Sequence, residues 1–407
     1  LATVSCVLAL AGPGRPHAPS AADSWIDGEA DAALRALETA PPTREVDLDR
    51  AVVQLYSGQS VQAAASLEEL RRREGGWTPA LRWLARAQAE LGRPEAAASA
   101  QALLAKKDVE VLDQLWAGDV FLRLGRSQQA GAAYEAALRR SPGIELDWRR
   151  GVAQAPAATA DAPWLGRLLA ASSLRGGERL RYTVKYLFLR LATVTLETGH
   201  PEFYAGVPAR RLVFTAKSND GVPFFHIDSR FESVVGEDGA VLAHRHVASD
   251  SDAGADQAGY DMDAGTGRCT VRTARDGVFG YHVLPLPANA QDGVSVLQIA
   301  RALARARSSA VVPTAVDGLW WPTELRTLGV ERIRWRGRDV PAVRMRSVGR
   351  YRGAGGMSGG VDIWMSDDER SVPYRVKMKV AVGSVTLELL PDEALVASGA
   401  AESEVTR

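Results

Sequence analysis

Cysteine is almost missing from this chain of 407 residues: only Cys6 and Cys269 occur. Cys6 falls in an apolar leader described below. A processed protein would therefore keep one thiol, which excludes an internal disulfide and any zinc site built from several cysteines. Net charge is missing too. Lys and Arg number 49, as do Asp and Glu, so the overall balance points neither to nucleic acid nor to an anionic surface. No stretch reaches the roughly 18 uninterrupted apolar residues of a membrane-crossing helix, and no residue pattern calls for a cofactor. The remainder is ordinary for a folded globular chain, with 46% apolar and 24% charged residues and enough length for two or three domains.

The N-terminus reads as the remains of a signal peptide. Residues 4–11 (VSCVLALA) are apolar, the prolines between 13 and 19 break any helix, and Ser20-Ala21-Ala22 offers small residues for cleavage before Asp23. This predicts an exported protein, periplasmic or associated with the outer membrane, with residues 1–22 as leader.

Residues 23–150 read as helical repeats. Alanine, leucine, glutamate and arginine dominate, all strong helix formers. Gly58, Gly92 and Gly125 are followed five residues later by Ala63, Ala97 and Ala130, then by Leu67, Gln101 and Tyr134, and then by Leu70, Leu104 and Ala137. The period resembles the tetratricopeptide repeat. The best unit spans 115–142, with Gly118, Phe121, Gly125, Ala130, Tyr134, Ala137 and Pro142 in matching places; Gln88 and Gln101 depart from the pattern. Small residues let the two helices of a hairpin approach, and one hairpin cannot bury its apolar face alone, so neighbours stack. An earlier half-unit at 31–40 caps the array. A peptide-binding groove and a plain helical stack both remain open.

Residues 151–176 read as an Ala/Pro-rich linker with a short helix at 164–174. Beyond Gly177 the rhythm changes from 3.6 to 2. Leu180, Tyr182, Val184 and Tyr186 alternate with charged or polar residues, and so do Phe225, Ile227 and Phe231. Residues 249–259, small, acidic and glycine-rich, read as a loop. One helix interrupts the strands at 294–305, with Val296, Ile299, Ala300 and Leu303 on one face and Asp292 as its cap. The closing ribbon is the clearest. Val361, Ile363 and Met365 share one face, Ser366-Asp367-Asp368-Glu369 turns the chain, and Val376, Met378 and Val380 alternate with lysines. Residues 177–390 thus form an antiparallel β domain, and 391–407 a disordered tail.

Four segments of this β half resemble the exported Gram-negative family known as domain of unknown function 3108. They are 177–186 (GERLRYTVKY), 291–297 (QDGVSVL), 324–331 (ELRTLGVE) and 363–368 (IWMSDD), the last followed by Arg370, Pro373 and 383–385 (GSV). The family's usual glycine in the second strand is replaced here by 189–192 (LRLA). The resemblance implies a cell-envelope protein with a large curved antiparallel sheet, similar in outline to lipoprotein-carrier folds in which a sheet wraps a helix. It supplies no catalytic residues.

Other constellations carry chemistry of their own. Residues 356–360 (GMSGG) match G-x-S-x-G, but a strand follows where that motif needs a helix, and no histidine follows the serine. His244 and His246 share a strand face, with Asp228 or Glu232 as a third ligand if a metal were held; two histidines on a solvated face are the commoner case. The Asp-rich segments at 250–252 and 261–263 fail the EF-hand spacing. Arg332, Arg334 and Arg336, with Arg344 and Arg346 expected opposite, would gather positive charge for an anion unless Asp362 and Glu388 neutralise the face.

The sequence therefore predicts an α+β, multidomain architecture: tetratricopeptide-like helical hairpin repeats, then a large curved antiparallel β-sheet or open barrel with one inserted helix. It predicts no catalysis. A lipid-like or apolar ligand is expected against Phe225, Phe231, Trp320 and Trp364, an anion at the five arginines, and a protein partner on the repeats. A pure periplasmic scaffold and an envelope glycan or lipid hydrolase are the alternatives.

Overall fold

The computed structural model describes residues 19–141, 176–187, 189–219, 226–250, 254–275, 277–316, 318–349, 360–379 and 383–390. Most of the leader, the linker, the helix expected at 164–174, the tail, Phe225, Val380 and nearly all of the 356–360 motif lie outside the described residues.

The alanine-rich half folds as eight helices among the described residues. They are α1 (Pro19–Ile26), α2 (Ala30–Thr39), α3 (Arg44–Tyr56), α4 (Ser60–Arg73), α5 (Thr78–Glu90), α6 (Ala96–Leu104), α7 (Val111–Arg123) and α8 (Ser127–Arg140). They pair in order, α1 with α2 through α7 with α8. Gly28, Gly58, Gly92 and Gly125 turn the four pairs at φ of 84, 79, 67 and 72°, a region that glycine enters without steric penalty. The period seen in the sequence is thus a period of turns, and Gly28 extends it by one pair. The expected half-unit is the second helix of that first pair. Of the two departures, Gln88 is buried and accepts a hydrogen bond from Ser99 Oγ at 2.7 Å, while Gln101 faces solvent.

Ala21 and Ala22 are buried in α1, ahead of the wholly buried Trp25. The cut expected before Asp23 would therefore fall inside a packed helix.

The second half forms one antiparallel sheet of 14 strands: β1 (Arg179–Tyr186), β2 (Leu189–Tyr204), β3 (Val207–Ser218), β4 (Asp228–Gly236), β5 (Val241–Asp250), β6 (Gly254–Asp263), β7 (Arg268–Arg275), β8 (Val278–Pro285), β9 (Ala310–Val316), β10 (Leu319–Trp335), β11 (Arg338–Gly349), β12 (Val361–Ser366), β13 (Pro373–Lys379) and β14 (Ser384–Leu389). The order is β8 through β1, then β14 down to β9. The first and last strands pair in the middle, which leaves β8 and β9 as edges. The loop expected at 249–259 is mostly strand, because Gly254–Gly259 pairs with β5 and its latter part also with β7.

Helix α9 (Val296–Ala306) interrupts the strands and lies in the hollow of the sheet. Val296, Ile299, Ala300 and Leu303 are buried there with Leu180, Val194, Leu212, Val271, Met345, Ile363 and Met378. Removing this much apolar surface from water is the main stabilising term of the β half.

The helical pairs cover the other face. The first helix of each pair is the one that meets the sheet: α1 on β6 and β7, α3 on β8, Trp83 of α5 stacked on Tyr281 at 5.1 Å, and Trp116 of α7 edge-on to His282 at 6.1 Å. Trp25 stacks on Phe279 at 5.6 Å, and Val316, Leu319 and Trp321 join the core of α5–α8. Helices and sheet thus share a core. The paired helices bridge the seam between β8 and the β9–β10 hairpin.

Gly259 marks where this docking is tightest. A Cβ there would lie 2.5 Å from the carbonyl oxygen of Ile26 and 3.1 Å from its side chain. Gly259→Ala is expected to push α1 off the sheet and to lower stability by about 1–3 kcal/mol. Thermal unfolding, with faster amide exchange confined to α1, checks this.

Candidate functional site

Two buried polar clusters fasten α9 within the sheet. At its head, Asp292 Oδ1 accepts the N–H groups of Val294 (2.7 Å) and Ser295 (2.8 Å), and Ser295 Oγ accepts the N–H of Asp292 at 2.9 Å. This reciprocal capping satisfies donors that a helix start leaves open. Ser233 Oγ donates to the same carboxylate oxygen at 2.8 Å and lies 3.2 Å from His244 Nδ1. The hydroxyl proton is therefore committed to Asp292. Further along, Arg301 clasps Glu178 at 2.5 and 3.1 Å, and Arg370 reaches the same carboxylate at 2.7 Å. Burial pushes the pKa of Glu178 up, but the two guanidiniums outweigh it and hold the group below its ordinary value.

Ser233, His244 and Asp292 are a serine, a histidine and an aspartate in one place, yet they cannot relay a proton. Serine and aspartate both meet Nδ1, whereas the relay needs them on opposite ring nitrogens. Asp292 is also committed to the helix cap.

The inward position of His244 and His246 corrects the solvated face expected for them. Both point toward α9, with His246 stacked on Phe231 at 4.1 Å, because the even residues of β5 oppose Ser233 and Phe231. Asp228 and Glu232 alternate with those residues and so belong to the outer face. Among the described residues no group of three metal-ligating side chains forms. Burial lowers the pKa of both histidines; for His246 the positive charge of Arg275 adds to it, and for His244 Asp292 opposes it. Burial also pushes the Cys269 thiol up to about 12, which leaves it protonated and unreactive.

The expected ligand residues do not converge. Phe231 and Trp320 are buried in the main core. Trp364 alternates with Ile363 and Met365, so it lies on the outer face with Ile333 and Ala342, and its Nε1 donates to Glu331 at 2.5 Å. The gap between α9 and strands β1, β2, β3, β13 and β14 measures about 40 Å³, lined by Tyr182, Phe214, Leu297 and Val376 among others. A volume of that order holds one or a few waters, not a lipid chain.

The five arginines also separate. A bulge at Thr327–Gly329 shifts the β10–β11 register, setting Arg344 opposite Gly329, Arg346 opposite Arg326, Arg332 opposite Pro341 and Arg334 opposite Asp339. Arg332 and Arg334 therefore face away from Arg344 and Arg346. Arg336 sits in the turn at φ 53° with its guanidinium 4.2 Å from the Trp335 ring. Asp362 neutralises Arg344 (3.2 Å) and Arg346 (3.8 Å), and Glu388 takes Lys185 (2.5 Å) and Arg375 (3.2 Å).

Two concavities were not read from the sequence. A cleft of about 180 Å³ opens at the seam, between Arg82, Arg86, Glu90, Trp116 and Arg123 of the helices and His282 and Val283 of β8. A larger groove of about 960 Å³ runs along the side of the helices away from the sheet, floored by Ala64, Ala65, Ala98 and Ala102 and rimmed by Glu68, Glu69, Arg71, Arg72, Arg93 and Glu95. Also unforeseen was Asp49, which is buried and accepts the Phe279 N–H at 2.6 Å. Burial raises its pKa well above the ordinary carboxylate value. The signal was a carboxylate inside the apolar stripe Val46, Val52, Val53 of α3.

Two outcomes test these assignments. Asp292→Ala should cost about 1–2 kcal/mol of stability from the cap alone, read as a lower denaturation midpoint. The depressed histidines set a pH dependence. Their contribution is complete above the unfolded value of about 6.5, and it is lost as pH falls toward their folded values, because the unfolded chain takes up protons first. His246→Phe should flatten the fall in unfolding midpoint between about pH 6.5 and 5.

The crystal structure of a beta-barrel-like protein of domain of unknown function DUF1849 from Brucella abortus is similar at 10% sequence identity and a TM-score of 0.37, covering 54% of this chain and 98% of that one. No curated protein matches the chain. Several residues from the segments that carry the family resemblance fasten α9 and its neighbouring turn: Glu178, Asp292, Ser295 and Arg370, with Ser366 Oγ and the N–H groups of Arg370 and Ser371 all donating to Asp368 Oδ1. The profile of the family described as protein of unknown function (DUF3108) matches residues 181–390, and the chain belongs to that family.

Proposed function

We propose that the protein is a non-catalytic scaffold of the cell envelope that holds a protein partner on its paired helices. The observation that supports this most is the filling of the sheet. Helix α9 occupies the hollow in which a carrier would hold its ligand, and the gap that remains is about 40 Å³. In this reading the helices are degenerate tetratricopeptide repeats. Their sheet-facing side is taken up by Phe279, Tyr281 and His282, so the partner docks in the outward groove between α4 and α6. The Glu68–Arg71 and Glu69–Arg72 pairs on that rim compensate one another, so shape rather than net charge selects the partner. Export rests on the apolar leader and on the family resemblance.

A lipid-like ligand would have to displace α9 against the Asp292 and Glu178 fastenings. An envelope hydrolase finds no support in the Ser233–His244–Asp292 geometry.

Two measurements test the proposal. Mass spectrometry of the purified full-length protein should find no stoichiometric lipid; a bound lipid would restore the carrier reading. A photo-crosslinking residue at Ala98 in living cells should give one discrete protein adduct that the same residue at Phe203 does not. Adducts at Phe203 and none at Ala98 would remove the groove from consideration.

A further inference from the structure

The end of the β1–β2 hairpin breaks two local rules at once. Leu187 adopts φ 53°, a conformation that strains bulky side chains and that turns normally give to glycine or asparagine. It is also 67% exposed, and Leu189 is 46% exposed. A turn shaped by folding alone has no use for a leucine in a strained, wetted position beside a second exposed leucine, and such violations gather where a surface has work to do.

Cations surround this tip. Strand register sets Arg190 opposite Lys185, Lys185 opposite Thr386, and Thr386 opposite Lys377. Lys379 stands two residues further toward the hairpin end on the same exposed face. The β13–β14 end is adjacent, since a Cβ on Gly383 would lie 3.8 Å from the Leu187 side chain. Glu388 engages Lys185, and Asp362, opposite Lys377, is held by Arg344 and Arg346. Among the described residues no ion pair engages Arg190, Lys377 or Lys379. The chain as a whole is neutral, so this concentration of positive charge is local.

We propose that this end of the sheet docks on an anionic lipid surface. Leu187 and Leu189 enter the boundary between headgroups and acyl chains, while Arg190, Lys377 and Lys379 meet lipid phosphates. Apolar side chains at a tip with basic residues just behind them match the layering of a bilayer surface, apolar inside and anionic outside. The proposal does not depend on the scaffold reading, and its test involves no protein partner.

The full-length protein is floated with phosphatidylcholine vesicles containing phosphatidylglycerol, and with pure phosphatidylcholine vesicles, at low and high salt. Flotation with the anionic vesicles, weakened by salt, is expected. Lys377→Gln and Lys379→Gln should each lower the partition coefficient about five-fold. Leu187→Asn separates function from folding. It should raise the thermal midpoint by relieving the left-handed backbone, yet together with Leu189→Thr it should lower partition about ten-fold. Failure of the wild-type chain to float at low salt, equal flotation with both vesicle types, or variants that float like the wild type would each overturn the proposal. So would full competition by millimolar inorganic phosphate, which would show a site for the free anion.

Discussion

A curled sheet with an apolar hollow cannot stay empty in water, and the architecture of this protein follows from how that hollow is filled. One helix, α9, does it. Its apolar residues meet the inner face of the sheet, and its polar ends are satisfied inside by Asp292 and by the Arg301–Glu178–Arg370 cluster. Burying a helix start or an arginine without such partners would be strongly unfavourable. The fastenings are thus a condition for the helix being there at all.

The sheet also has two edges, and an uncovered edge strand is a template for unwanted pairing. Here the outward groups of β8 meet side chains. Asp49 accepts the Phe279 N–H at 2.6 Å, Arg86 donates to the Tyr281 carbonyl at 2.7 Å, and Trp320 donates to the Pro285 carbonyl at 2.8 Å. His282 Nε2 donates to the Gly318 carbonyl at 2.6 Å and so ties β8 to the β9–β10 turn. Two of these groups come from the paired helices. The helical half is therefore a cover for the seam of the sheet as well as a surface of its own, and the two halves depend on each other.

These constraints narrow what the molecule can do. The inner face of the sheet belongs to α9, and the sheet-facing side of the helices belongs to β6–β8. What stays available is the outward groove, the seam cleft and the hairpin ends. The carboxylate beside Ser233 and His244 is committed to structure, since Asp292 Oδ1 holds the cap of α9.

Local rhythm was legible in the sequence wherever it repeats. Glycines at fixed intervals gave the helical turns, alternation gave the strands and the inner positions of β1, β12 and β13, and one 3.6-residue period gave α9 and its Asp292 cap. Anything set by which strand lies beside which was not legible. A single bulge at Thr327–Gly329 parted the arginines, and His244 and His246 turned inward because their partners on β4 do. Residues 254–259 became strand through pairing on both sides, although their glycines read as loop. Side-chain periodicity is a property of the backbone alone, so the sequence determines it. Face and register depend on which strand lies beside which, and edge cover joins segments as far apart as Asp49 and Phe279; only the tertiary structure brings those together.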